Sequence, residues 1–210
     1  MVFSEEFDSY YNELIQIQKL DTDALYKSQR ERNRPIIKRD GAIMLQQYVL
    51  AKEPKLVLEI GTNGGYSAIC MAKVLNHKSK LHTIDFRWDH LKIAKKNFMD
   101  FGVIDKIVTH QGYAKEVIKN LNLKFDIIFI DADKGGYPDY LEYATKYINR
   151  NGIILVDNLL WKGTVFSKEP SVSPATKTLQ EFNKVFMNLN GFKSIILPVG
   201  DGLGVAVKEI

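Results

Sequence analysis

Leu58-Glu59-Ile60-Gly61-Thr62-Asn63-Gly64-Gly65-Tyr66-Ser67 is the stretch that decides how this 210-residue chain folds. It follows on from residues 55–60 (KLVLEI), an aliphatic run that reads as a buried strand. It then opens an apolar helical stretch over 66–75. The glycines between them let the backbone turn sharply and approach a ligand closely. The first turn of the helix offers N–H groups that have no partner inside the helix. A strand, a glycine-rich turn and a helix make up one unit of an open parallel sheet, where ligands sit beyond the carboxyl ends of the strands.

The same alternation continues along the chain. Residues 81–85 (LHTID), 125–130 (FDIIFI) and 152–156 (GIILV) read as strands, and 107–110 as a weaker one. Helical patterns over 89–101 and 138–148 lie between them. Strands alternating with helices predict a parallel sheet covered on both faces. The end of the chain departs from this pattern. Residues 194–199 and 205–208 flank Gly200-Asp201-Gly202-Leu203-Gly204, a hairpin-type connection that predicts an antiparallel pair. Ahead of the first strand, residues 3–32 read as one or two amphipathic helices that cap the sheet, line an opening or meet a second subunit. No repeat, low-complexity tract or long linker interrupts the chain. It is therefore expected to form one domain over 1–210, with a helical extension (1–35) and a core (36–210).

Composition narrows the class. The chain is 45% hydrophobic and 26% charged, values that suit a globular protein with a substantial core. No apolar run approaches the roughly 20 residues needed to span a bilayer. The first residues carry Glu5, Glu6 and Asp8 and lack the order of a signal peptide, so a cytoplasmic location and no membrane partner are expected. The single cysteine, Cys70, excludes an internal disulfide and reads as a small core residue. A net charge of +4 permits a nucleic-acid partner without requiring one.

Two groups of residues carry chemistry. In the first, Asp85 follows the second strand, where a carboxylate can accept hydrogen bonds from both hydroxyls of a ribose. The spacing Gly61, Gly64, Gly65 does not fit the G-x-G-x-x-G pattern of dinucleotide sites. Glu59, just before the turn, would repel a pyrophosphate but suits the ammonium of an amino-acid moiety, directly or through water. These features favour S-adenosylmethionine over a dinucleotide. In the second group, Asp131-Ala132-Asp133-Lys134 follows one strand and Asp157-Asn158 another. If those strands are neighbours, Asp131, Asp157 and Asn158 converge on one rim. Such an all-oxygen set suits Mg²⁺, with Mn²⁺ or Ca²⁺ as alternatives. Carboxylates crowded together without a cation would repel each other.

With these motifs, the chain resembles the cation-dependent O-methyltransferases, the family of catechol O-methyltransferase, plant caffeoyl-CoA O-methyltransferase and many bacterial relatives. The likeness rests on LEIGTNGGYS, TIDF around Asp85, FIDADKGGY around Asp131, VDNLLWKG around Asp157 and PVGDGLGVAVK near the end, and it covers nearly all of residues 34–208. The resemblance implies a Rossmann-like α/β fold with a mostly parallel seven-stranded sheet and an antiparallel last strand. It implies that Asp131, Asp157 and Asn158 ligate the metal and that Lys134 acts as general base, with Asp131 beside it in catalysis. It places Gly61, Thr62 and Ser67 against the methionine part of the cofactor, near Glu59. Asp85 falls on the ribose, Tyr113 and Ala114 around the adenine, Ile36 on the cofactor as a backbone contact, and Asp131 and Asp133 on its flank. Homodimers are expected. In this chain Tyr113 stands where relatives often carry an acid. Asp133 stands where the animal catechol enzyme has an aromatic residue.

The acceptor is expected to be a small vicinal dihydroxy aromatic. The alternative is tRNA bearing 5-hydroxyuridine at the wobble position. Lys27, Arg30, Arg32, Arg34, Lys38 and Arg39 form a basic cluster able to engage phosphates or, equally, to form a solvated face with interface ion pairs. Trp161 and Tyr137 are candidates for stacking on a ring or for core packing. His77, His82, His90 and His110 show no metal-type spacing and are expected to be structural or exposed.

Overall fold

A computed structural model describes residues 5–167 and 173–210. Phe3, where the predicted amphipathic segment begins, lies outside the described residues. That segment forms two helices, α1 (Glu5–Ile17) and α2 (Asp23–Glu31). A third helix, α3 (Arg39–Lys52), follows; the sequence reading gave it no separate place. There the basic cluster masked the buried positions Ala42, Leu45 and Val49, which recur at helical spacing.

Strand and helix then alternate. The elements are β1 (Leu56–Ile60), α4 (Tyr66–Val74), β2 (Lys80–Asp85), α5 (Trp88–Asp100), β3 (Ile107–Gln111), α6 (Ala114–Leu121), β4 (Phe125–Ile130), α7 (Tyr137–Tyr147) and β5 (Ile148–Val156). After α8 (Pro174–Met187) come β6 (Phe192–Leu197) and β7 (Leu203–Lys208). β5 begins four residues before the expected Gly152. Asn149 and Arg150 are polar, and Asn151 has a positive φ of 57°, so no aliphatic run marks this part of the strand.

The seven strands form one sheet in the order β3-β2-β1-β4-β5-β7-β6. β1 to β5 run parallel, and β7 is antiparallel to both β5 and β6. Strand alternation sorts the core into two layers. Val57, Leu81, Ile127, Phe129, Leu155 and Val205 face the layer packed under α3, α4 and α5. Leu58, Ile60, Ile84, Ile128, Ile130, Ile154 and Ala206 face α6, α7 and α8. Each fully buried aliphatic side chain contributes about 1.5–3 kcal/mol.

The topology positions the site. From β1 the chain winds out to β2 and β3, then returns to lay β4 on the other side of β1, so the strand order reverses between β1 and β4. Ligands bind in the crevice that such a reversal opens. The backbone pairing continues past the strand ends: Gly61 N donates to Ile84 O (2.9 Å), Asp131 N to Ile60 O (3.0 Å) and Asp157 N to Ile130 O (3.0 Å). The glycine turn, Asp131 and Asp157 therefore share one rim.

Gly61 has a φ of +104°, and a Cβ there would lie 2.0 Å from the carbonyl oxygen of Asp131. Only a residue without a side chain lets β1 and β4 close at this point. Gly61→Ala should destabilise the ligand-free protein by ~2–5 kcal/mol through combined strain and overpacking. The denaturant midpoint checks this, and an unchanged midpoint would refute the close contact.

Candidate active site

On the β1–β2 side, the register sets Glu59 beside Thr83 on the same face. Glu59 is fully buried, and its two oxygens accept hydrogen bonds from Ser67 Oγ and Thr83 Oγ1, both at 2.5 Å. Because Thr83 donates to Glu59, it accepts the 2.6 Å bond from Thr62 Oγ1. Burial is the main cause that pushes the Glu59 carboxyl up to about 8; the two hydroxyls oppose it, and the nearby Asp131 and Asp85 add to it. The carboxylate lies beneath the turn rather than in the open crevice, so Glu59 reaches a ligand through Ser67.

The turn itself is tied down by Asn63. Its N–H donates to Asp85 Oδ2 (2.9 Å), its amide nitrogen donates to Pro35 O (2.6 Å), and its amide oxygen accepts from Arg34 Nη1 (3.1 Å). This brings the segment carrying half-buried Ile36 alongside the glycine turn. Asp85 also accepts from Arg87 N (2.9 Å) and pairs with His90 Nδ1 (3.0 Å). A carboxylate has about four acceptor positions. Three of those on Asp85 are engaged within the chain. Beyond it, exposed Tyr113 stacks parallel to exposed Phe86, with centroids 6.1 Å apart, next to buried Ala114 at the start of α6.

On the β4–β5 side, Lys134 lies in the short 3-10 turn after Asp133. Its ammonium faces four acceptors: Asn158 Oδ1 (2.7 Å), Ala132 O (3.1 Å), Asp131 Oδ1 (3.4 Å) and the Tyr137 hydroxyl. Tyr137 gives its own proton to Asp157 O at 3.0 Å, so toward Lys134 it can only accept. Asp157 is 2% exposed, and its Oδ1 accepts from the Asn158 N–H (2.8 Å). Burial, reinforced by Asp131, holds the Asp157 carboxyl well above the usual range. Burial also raises Asp131, against the pull of Lys134. Two neighbouring carboxylates and an amide oxygen beside Lys134 form a donor set that fits a hard divalent cation.

Other residues turn out differently from their sequence readings. Both oxygens of Asp133 are engaged within the chain, by Gly136 N (2.9 Å) and Tyr140 Oη (2.6 Å), so it shapes the Lys134 turn. Tyr137 is wholly buried against Phe182, which rules out stacking on a substrate. Trp161 is half-buried, with its ring centroid 5.6 Å from Lys134 Nζ. The basic cluster splits. Arg39 pairs with Asp23 (2.8 Å) and holds the carbonyls of Ile15 and Gln18; Arg34 serves Asn63; Lys38 Nζ donates to Gly200 O (3.1 Å). Lys27, Arg30 and Arg32 are exposed. His82 and His110 form a stacked pair linked at 3.0 Å. Thr83 and Asn63 are structural partners that the sequence reading did not single out. Strand alternation alone would have put Thr83 on the same face as Asp85.

A Rossmann-like sheet with a nucleoside-type turn at its reversal point, and an acid–lysine cluster on the neighbouring strand ends, is the arrangement of the class I methyltransferases. The O-methyltransferase family profile matches residues 8–209, and the chain belongs to this family of S-adenosylmethionine-dependent enzymes. A catechol O-methyltransferase of Niastella koreensis is 31% identical over 75% of this chain and 75% of its own length. An O-methyltransferase from Bacillus cereus, solved in complex with SAH, superposes with a TM-score of 0.83 at 26% identity, covering 97% of both chains. An O-methyltransferase from Streptomyces achromogenes, involved in tomaymycin synthesis and solved with SAM, gives 0.82 at 25% identity, covering 98% of this chain and 96% of its own.

The raised Glu59 carboxyl has a measurable consequence. Between about 4.5 and 8 the unfolded chain has lost this proton while the folded chain retains it, so Glu59 makes stability fall as pH rises through that window. Glu59→Gln should flatten this part of the profile, which urea midpoints at pH 5 and pH 8 will show. An unaltered slope in the variant would mean that Glu59 is ionised in its pocket.

Proposed function

We propose that this chain transfers the methyl group of S-adenosylmethionine to one hydroxyl of a small vicinal dihydroxy aromatic, with a divalent cation, Mg²⁺ first, held by Asp131, Asp157 and Asn158. The observation that carries this reading is the placement of Lys134. Its Nζ lies 2.7 Å from Asn158 Oδ1 and 3.4 Å from Asp131 Oδ1, on the rim that also carries the glycine turn. The Niastella relative, named a catechol O-methyltransferase, supports this acceptor class.

When bound, such a cation polarises the two neighbouring oxygens of the acceptor and makes the hydroxyl more acidic. Lys134 is placed to take the hydroxyl proton or, as an ammonium, to steady the oxyanion. The Tyr137 hydroxyl and the Ala132 carbonyl restrict where Lys134 can reach. Gly61, Ser67, Asp85 and the backbone near Ile36 hold the methyl donor from below, with the adenine toward Tyr113 and Ala114. The chain's main contribution is alignment of donor and acceptor. The half-buried Trp161 ring next to Lys134 suits a flat aromatic. The tRNA alternative is weaker because Arg34, Lys38 and Arg39, half of the basic cluster behind it, are bound within the fold. We read the exposed apolar side chains Tyr10, Leu14 and Ile17 of α1 as the surface where two copies meet, which sedimentation of the full chain tests.

Lys134→Ala should lower methyl transfer to catechol by about 10²–10⁴-fold while leaving S-adenosylhomocysteine affinity intact. Undiminished turnover at saturating catechol would remove Lys134 from the chemistry. Exhaustive chelation should abolish transfer and added Mg²⁺ restore it; activity that survives chelation would reject the cation. Parallel assays with bulk tRNA decide between the acceptor classes.

A further inference from the structure

The loop after β5 is the most contorted part of the backbone near the site. Trp161, Lys162 and Gly163 have φ values of +45°, +54° and +82°. A left-handed conformation is uncommon for a bulky residue and needs surroundings that enforce it. The enforcing contacts come from the β6–β7 turn. Asp201 Oδ1 accepts from Lys162 N at 2.6 Å, Asp201 O from Leu160 N at 2.9 Å, and Gly202 O from Leu159 N at 2.9 Å. The turn presses against the loop so closely that a Cβ on Gly202 would sit 2.5 Å from Leu160 N. On its other side the turn is anchored to the start of α3, through Gly200 N to Asp40 Oδ2 (2.8 Å) and Lys38 Nζ to Gly200 O (3.1 Å).

We propose that Asp201 is a positioning residue for the acceptor side of the site: its carboxylate, gripping the Lys162 N–H, keeps the Trp161 ring beside Lys134. The description of that side as the acceptor side rests on the function proposed above. Asp201 itself acts only through the loop backbone. The Leu160–Asp201 and Leu159–Gly202 main-chain bonds do not involve the Asp201 side chain, so Asp201→Ala removes the carboxylate's part of the clamp alone.

Trp88 and Trp161 are the only tryptophans. In a Trp88→Phe background, Trp161 therefore reports alone. Asp201→Ala should raise acrylamide quenching of Trp161 about twofold as the loop loosens. It should also raise the KM for catechol about tenfold or more, with S-adenosylhomocysteine affinity unchanged. Asp201→Asn keeps an oxygen acceptor at the same place and should restore both values. Wild-type quenching in a folded Asp201→Ala variant overturns the proposal, as does an Asn variant as loose as Ala. If the Ala variant does not fold, hydrogen exchange on the unaltered chain decides: the amide of Lys162, an exposed residue, should exchange slowly, and fast exchange overturns the proposal. Quenching and exchange need no acceptor, so they judge Asp201 even if catechol is not turned over.

Discussion

The contact between Gly61 and the Asp131 carbonyl joins the two halves of the molecule. β1 ends there in the turn that faces the methyl donor, and β4 ends in the acid that begins the Lys134 motif. The two strands pair without interruption up to this point, and each continues into a ligand-facing loop within one residue of it. A side chain at position 61 would separate these loops by roughly its own width, which a reaction between aligned partners does not tolerate. The spacing between the donor and acceptor sides is therefore set by backbone, the stiffest material available, rather than by side chains.

Around that contact the structure places three carboxyls in largely desolvated positions. Glu59, Asp131 and Asp157 all lie where desolvation penalises their charge, and each is pushed toward its neutral form. The compensation differs in kind. Glu59 is balanced by hydroxyls, Ser67 and Thr83, which adjust to either protonation state. Asp131 faces the full charge of Lys134. Asp157 accepts from the Asn158 N–H and feels Lys134 more weakly than it feels its own burial. The partners thus change from neutral hydroxyls under the turn to a charged ammonium at the strand tips.

How far the sequence could be read follows from how local each signal is. The strand–turn–helix unit at 58–67 and the aliphatic strands 125–130 and 152–156 carry their geometry in adjacent residues and identify the parallel core, while the glycine-rich connection at 200–204 identifies the antiparallel end. The convergence of Asp131 with Asp157 depended only on β4 and β5 being neighbours. What could not be read depended on contacts across long separations. Asp133 looked like a residue facing the ligand because its partner Tyr140 acts from the next helix. Tyr137 could be read as a stacking ring or as core, because nothing adjacent shows that it is sealed under Phe182. Arg39 looked like part of a basic face because its partner Asp23 belongs to an earlier helix. The same limit hid the hydrogen bonds that fill most of the Asp85 carboxylate: Asn63 approaches it from the glycine turn and His90 from the first turn of α5.

Asn63 has one further consequence. Through three hydrogen bonds this small side chain and its backbone join the ribose acid, the glycine turn and residues 34 and 35. The leading segment is thus built into the floor of the crevice and is not a detachable preface to the domain. A change in the chain just ahead of α3, although remote in sequence from every motif, would be felt at Asp85 through a single intervening residue.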